Sequence, residues 1–88
     1  MASYSVLLKR SVLKDLDPIP ARDRRRIMER IGSLADDPRP AGCEKLSALE
    51  RYRVRVGDYR IVYSIEDVQL VVWVVRVRHR RDVYRHTG

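Results

Sequence analysis

Much of what this chain could do is excluded by what its 88 residues do not contain. The single cysteine, Cys43, has no partner for an internal disulfide, and without other ligands at metal-binding spacing it offers no zinc site. No run of about 18 apolar residues occurs, which leaves no membrane-spanning helix. No charged-then-apolar leader ending in small residues opens the sequence, so a cytoplasmic location is expected. The acids are scattered, and His79 and His86 stand among arginines that would repel a divalent cation; neither a metal nor a small-molecule cofactor is expected. Repeats, low-complexity tracts and linkers are missing, so residues 1–88 read as one domain. A chain of this length buries roughly 60 to 65% of its unfolded surface, enough for one modest core and a shallow site.

Lysine is the other scarcity, and its distribution points to a partner. Residues 1–50 carry ten Lys or Arg against eight Asp or Glu, net +2, whereas residues 51–88 carry nine Arg, no Lys and four acids, net +5. An arginine-rich half suits a phosphate-bearing partner, because the guanidinium fork meets phosphate oxygens bidentately and stays charged.

The stretch Arg51 to Arg60, RYRVRVGDYR, organises the rest. Tyr52, Val54 and Val56 alternate with Arg51, Arg53 and Arg55, as two faces of a strand. Gly57-Asp58 supplies a turn, and Tyr59, Ile61, Tyr63 and Ile65 resume the apolar face with Arg60 opposite. Upstream, Tyr4 to Leu8 suits a strand. Ser11 is expected to cap a short helix bearing Val12, Leu13 and Leu16, stopped by Asp17-Pro18. A second helix is expected from Ala21 to Ala35, with Ile27, Met28, Ile31, Leu34 and Ala35 on its apolar face and Arg22, Arg24, Arg25, Arg26, Glu29 and Arg30 on the other. That basic face is either simply solvated or touches RNA. Residues 36–46 read as a loop stiffened by Pro38 and Pro40. Val68 to Val77 reads as the central strand, with Val71, Trp73, Val75 and Val77 toward the helices and Arg76 and Arg78 on the cationic face. The expected fold is α+β, ordered β-α-α-β-β-β, with two helices on one face of a mostly antiparallel sheet.

A basic face of this kind suits cleavage of an RNA phosphodiester by its own 2′-hydroxyl. That reaction needs a proton acceptor, a proton donor and cations for the charge growing on phosphorus. Arginine fills only the last role, since guanidinium does not deprotonate at ordinary pH. His79 and Tyr84 are the two groups here that could move a proton.

Tyr52-Arg-Val-Arg-Val-Gly-Asp-Tyr-Arg-Ile-Val-Tyr63 and Val77-Arg-His-Arg-Arg-Asp-Val-Tyr84 resemble the RelE toxins of the RelE/ParE superfamily, as do the Asp37-Pro38 helix exit and Leu46 before the hairpin. The resemblance covers nearly the whole chain. It implies the toxin of a type II toxin–antitoxin pair: a metal-independent, ribosome-dependent mRNA interferase that cuts mRNA in the decoding site, held in check by a small acidic RelB-like antitoxin. It also implies site residues at Arg53, Arg55, Arg60, Arg80 and Tyr84, and His79 stays beside Tyr84 as a proton carrier on its own chemistry. Arg51, Arg76, Arg78 and Arg81 would then contact RNA. The best-known members carry lysine at the hairpin pair, where this chain has arginine. The alternative is a ParE-like inhibitor of DNA gyrase without nuclease activity.

Overall fold

A computed structural model describes residues 3–46 and 50–80 of the chain. Five strands and two helices follow one another as β1 (Ser5–Leu8), α1 (Arg10–Leu16), α2 (Ala21–Ser33), β2 (Glu44–Leu46), β3 (Arg51–Val56), β4 (Tyr59–Glu66) and β5 (Val71–His79). They form one sheet in the order β1-β5-β4-β3-β2. Only β1 with β5 is parallel; the other three pairings are antiparallel. The two helices packed against this mixed sheet give the expected α+β class. The strand count differs by one: Glu44–Leu46, expected as loop, adds β2 at the edge beside β3. Three residues carry too little periodicity to announce a strand.

The charged hairpin forms as its alternation requires. Gly57 and Asp58 are its two turn residues, and Gly57 takes φ +57°, the left-handed conformation that glycine enters without a Cβ penalty. Val54, Ile61 and Tyr63 are buried on the helix-bearing face with Val12 and Leu16 of α1 and Ile27 and Ile31 of α2. Tyr52, Val56, Tyr59 and Ile65 pack at the margin of that core. α2 ends at Ser33, two residues before the expected end, with Leu34 as its buried C-cap residue. Met28, expected on the apolar face, is 40% exposed instead.

β5 corrects the sequence reading most sharply. Val62 pairs with Arg76 but Tyr63 pairs with Val74, so Val75 has no opposite number and forms a β-bulge. Inserting one residue shifts the two-residue alternation by one step. Val77 faces the helices as expected, but on the other side of the bulge Val72 and Val74, not Val71 and Trp73, fill the core. Trp73 lies on the opposite face with the Lys9 ammonium 4.8 Å from its ring centroid. The central position belongs to β4, and residues 67–70 form a turn in which Leu70 takes φ +55°. The bulge explains Ser11 as well. Ser11 makes no cap; its hydroxyl donates to the Val75 carbonyl at 2.8 Å, satisfying an acceptor of the bulged residue. Lys9 occupies the N-cap position without a side-chain cap bond.

Arg39 ties the far end of the sheet together. Its two terminal nitrogens donate to the Asp67 carboxylate at 3.1 and 2.9 Å, and its Nε donates to the Tyr52 hydroxyl at 3.2 Å. The Tyr4 hydroxyl donates to the same Asp67 at 2.7 Å. The Arg39 hydrogen bonds hold the Asp67 carboxyl below its usual pKa, with Tyr4 adding to the effect. A depressed folded-state pKa stabilises the fold above the unfolded value of about 3.9, and this stability is lost as pH falls through the lower folded value. Urea midpoints of the parent and of Asp67→Asn should therefore differ at neutral pH and converge in acid. A constant difference down to about pH 2, well below the ordinary carboxylate range, would show that charge has no part in the clasp.

Candidate RNA-binding and cleavage site

On the face away from the helices, Arg55 pairs in register with Arg60, and Arg60 with Arg78, giving a row of guanidiniums across three strands. At the hairpin end, a cleft of about 130 Å³ is lined by Arg55, Gly57, Asp58, Tyr59, Arg60 and Arg80. The Arg80 N–H donates to the Asp58 carbonyl at 2.7 Å and so pins the end of β5 against the turn. Arg60 is only 8% exposed, yet its Nε and Nη1 meet no hydrogen-bond partner among the described residues. A buried guanidinium with idle donors destabilises a fold unless something with oxygen acceptors completes it. Phosphate has the matching charge and geometry. Arg60, expected on an open face, is thus recessed, with Arg55 and Arg80 exposed around it.

The next row differs. Glu44 stands opposite Arg53, whose Nη2 donates to Glu44 Oε2 at 2.7 Å, and the Glu44 carboxyl is held below its ordinary pKa by that bond. Arg76 is drawn to α1, where its Nη2 donates to Asp15 Oδ1 at 3.2 Å. Its Nε lies 3.1 Å from Asp15 Oδ2, too poorly aligned to count as a hydrogen bond. Asp15 Oδ2 instead accepts the Val77 N–H at 2.9 Å. Arg53 and Arg76 are therefore each paired with a carboxylate and do not line the cleft. Arg51 and Arg78 are half-buried, and Arg78 also lines a groove of about 320 Å³ beside α1.

His79 belongs to that groove. It pairs in register with Tyr59, and the two rings meet edge to face at 5.1 Å. The alternation puts His79 and Tyr59 on the helix-bearing side, next to Lys14, Asp15, Pro18 and Ile19, and away from Arg60. His79 was expected in a polar tail beside the arginines; it is the last residue of β5 and is not brought into their cleft. Tyr84 and Arg81 lie outside the described residues.

Three contributors were not singled out from sequence. Asp58 enters the arginine cleft, and its place two residues before Arg60 was a usable signal. Glu44 and Asp15 neutralise Arg53 and Arg76, and no local pattern announces them, since each pairing joins separate elements. Among the described residues, no three His, Cys, Asp or Glu side chains gather as a metal-ligand set would, and no helix is long and apolar enough to cross a membrane.

Comparison with known proteins gives these features a family. Residues 6–84 match the model of the ParE toxin of the type II toxin–antitoxin system parDE. The toxin RelG of Mycobacterium tuberculosis is 32% identical over 84 residues, covering 93% of this chain and 97% of that protein. In the toxin–antitoxin complex RelBE2 from the same organism, one chain superposes with a TM-score of 0.80 at 29% identity, over 91% of this chain and 94% of its own. The archaeal RelE–RelB complex from Pyrococcus horikoshii contains a chain with a TM-score of 0.80 at 30% identity, over 89% of this chain and 96% of that one. With the family model matched over most of its length and these relatives aligned nearly end to end, the chain belongs to the RelE/ParE family of type II toxin–antitoxin toxins.

Proposed function

We propose that the protein is a ribosome-dependent mRNA endoribonuclease that works in the cytoplasm and cuts mRNA in the decoding site by attack of the 2′-hydroxyl on the adjacent phosphorus. The observation that carries this reading is the cleft of Arg55, Arg60 and Arg80, with two idle donors on the recessed Arg60. Phosphorus gains negative charge as the 2′-oxygen adds, and preorganised cations in a recess stabilise that charge more than they stabilise the ground state. The cleft is shallow and open, which suits a strand presented by a larger body. Arg51, Arg78 and Arg81 would extend the positive field along the RNA, with Arg53 and Arg76 contributing less because carboxylates already hold them. Since His79 turns to the helix side, Tyr84 is the candidate to protonate the leaving 5′-oxygen. No cofactor enters this scheme.

Two of the solved relatives are toxin–antitoxin complexes, RelBE2 and RelE–RelB, and an acidic RelB-like antitoxin is the partner that this basic face fits. An amphipathic helix with carboxylates toward the arginines would occupy it, and such a complex should weaken with salt.

Primer extension on mRNA programmed into translating ribosomes tests the enzyme reading. The parent should cut within the decoding-site codon. Tyr84→Phe should keep ribosome binding and lose about 10²-fold in single-turnover rate, the scale of a general acid. The family model named for the ParE toxin keeps a second reading in view, inhibition of DNA gyrase by the same basic face. Intact mRNA together with blocked supercoiling by purified gyrase would select it.

A further inference from the structure

Cleavage by a 2′-hydroxyl requires a base in reach of the cleft, and the residues there narrow the choice. Arg55, Arg60 and Arg80 cannot accept a proton, being cationic at any working pH. His79 lies on the other face of the sheet. Tyr59 lines the cleft, but its ring packs against His79 on the helix side. What remains among the described lining residues is the carboxylate of Asp58, an acceptor-only group when ionised.

The setting of Asp58 separates a reactive group from a turn residue. Aspartate is common in turns because its side chain bonds to nearby backbone N–H groups. Here the side chain makes no hydrogen bond or ion pair with any described residue and is exposed to solvent. Its backbone, in contrast, is fixed: the two-residue turn holds it on one side, and the Arg80 N–H on its carbonyl at 2.7 Å holds it on the other. Across the turn, Asp23 and Arg26 of α2 share a second cleft of about 130 Å³ with it. A carboxylate free at its tip and anchored at its root, beside three arginines, has the arrangement of a positioned base.

We propose that Asp58 is the general base of the cleft, a role that rests on the mRNA-cleaving reading above. Its carboxylate takes the proton of the 2′-hydroxyl as the 2′-oxygen bonds to phosphorus. The bond from phosphorus to the 5′-oxygen breaks, and that oxygen leaves with a proton from Tyr84. The products are a 2′,3′-cyclic phosphate and a 5′-hydroxyl, and water returns the proton from Asp58 to Tyr84. Guanidiniums hold the phosphate throughout.

The test is single-turnover cleavage of mRNA on programmed ribosomes by the parent, Asp58→Asn and Asp58→Glu, with thermal midpoints and ribosome affinity measured for each. Asparagine suits the turn as well as aspartate does, and glutamate restores the base on a longer arm. Asp58→Asn should cleave about 10²-fold more slowly, with unchanged midpoint and affinity. Asp58→Glu should recover to within about tenfold of the parent, since a one-methylene displacement weakens positioned proton transfer without abolishing it. Parent-like cleavage by Asp58→Asn would overturn the assignment while leaving the enzyme reading intact. Equal loss in both variants, or a fall in midpoint with the loss in Asp58→Asn, would make the residue a turn element and overturn it too. No cleavage by the parent would overturn both readings.

Discussion

Replacing Arg60 with methionine is expected to make the protein more stable and nearly inactive. Arg60 is buried to all but 8% of its surface, and its Nε and Nη1 have no partner among the described residues. Each buried donor left unbonded costs about 1–3 kcal/mol, and replacing a buried charge by an apolar side chain of similar volume is often stabilising by a comparable amount. Methionine keeps the length and flexibility needed to fill the recess. A gain of about 1–2 kcal/mol would raise the thermal midpoint by roughly 4–8 °C per kcal/mol in a domain of this size. The same substitution removes the recessed cation beneath the proposed phosphate site. Single-turnover cleavage on programmed ribosomes should fall by about 10²–10³-fold, the scale of losing one preorganised donor to developing charge, about 3–4 kcal/mol. A variant that melts lower than the parent would show that Arg60 is structurally satisfied, and the reading of its idle donors as a ligand site would fail with it.

Tyr63→Ala should bring the fold close to its limit. Tyr63 is the largest fully buried side chain among the described residues, at 0% exposure. It stacks on Tyr52 with ring centroids 5.9 Å apart, and its hydroxyl donates to the Pro38 carbonyl at 2.8 Å. It therefore joins the middle strand to the exit of α2. Truncating a buried aromatic costs about 3–5 kcal/mol, a large part of the roughly 5–15 kcal/mol available to a domain. Tyr63→Phe removes only the hydroxyl and leaves the Pro38 carbonyl without its donor, so about 1–2 kcal/mol is expected. Burial pushes the phenol above its ordinary pKa, with interactions from Cys43 adding to the rise. A raised folded-state pKa gives stability that is present below the unfolded value of about 10 and lost as pH rises through the folded one. Urea midpoints should accordingly fall in alkali for the parent and less steeply for Tyr63→Phe. Parallel slopes would assign alkaline sensitivity to other groups.

Several elements were legible because their signals are local. Alternation from Tyr52 to Tyr63 around Gly57-Asp58 specified the hairpin and both its faces. Ile27, Ile31 and Leu34 marked the buried side of α2 through their spacing, and Asp17-Pro18 marked the end of α1. The shared position of Arg55 and Arg60 was legible on the same grounds, since a two-residue turn fixes the register of its strands. β2 was not, because Glu44–Leu46 becomes a strand only by pairing with β3.

The sequence by itself determined the elements whose periodicity is written in neighbouring residues: the charged hairpin, the amphipathic α2, and an arginine-bearing face opposite an apolar one. Tertiary structure decided which of those arginines are free. The bulge at Val75 set the phase of β5, placing Val72 and Val74 in the core and Trp73 outside it. Pairing between distant elements neutralised Arg53 with Glu44 and Arg76 with Asp15, and turned His79 toward α1. It also brought Arg80 to the tip beside Asp58. The physical reason is that alternation reports only relative orientation along one strand. Its phase past an irregularity, and the partner each charge meets, depend on register and packing between segments far apart in the chain.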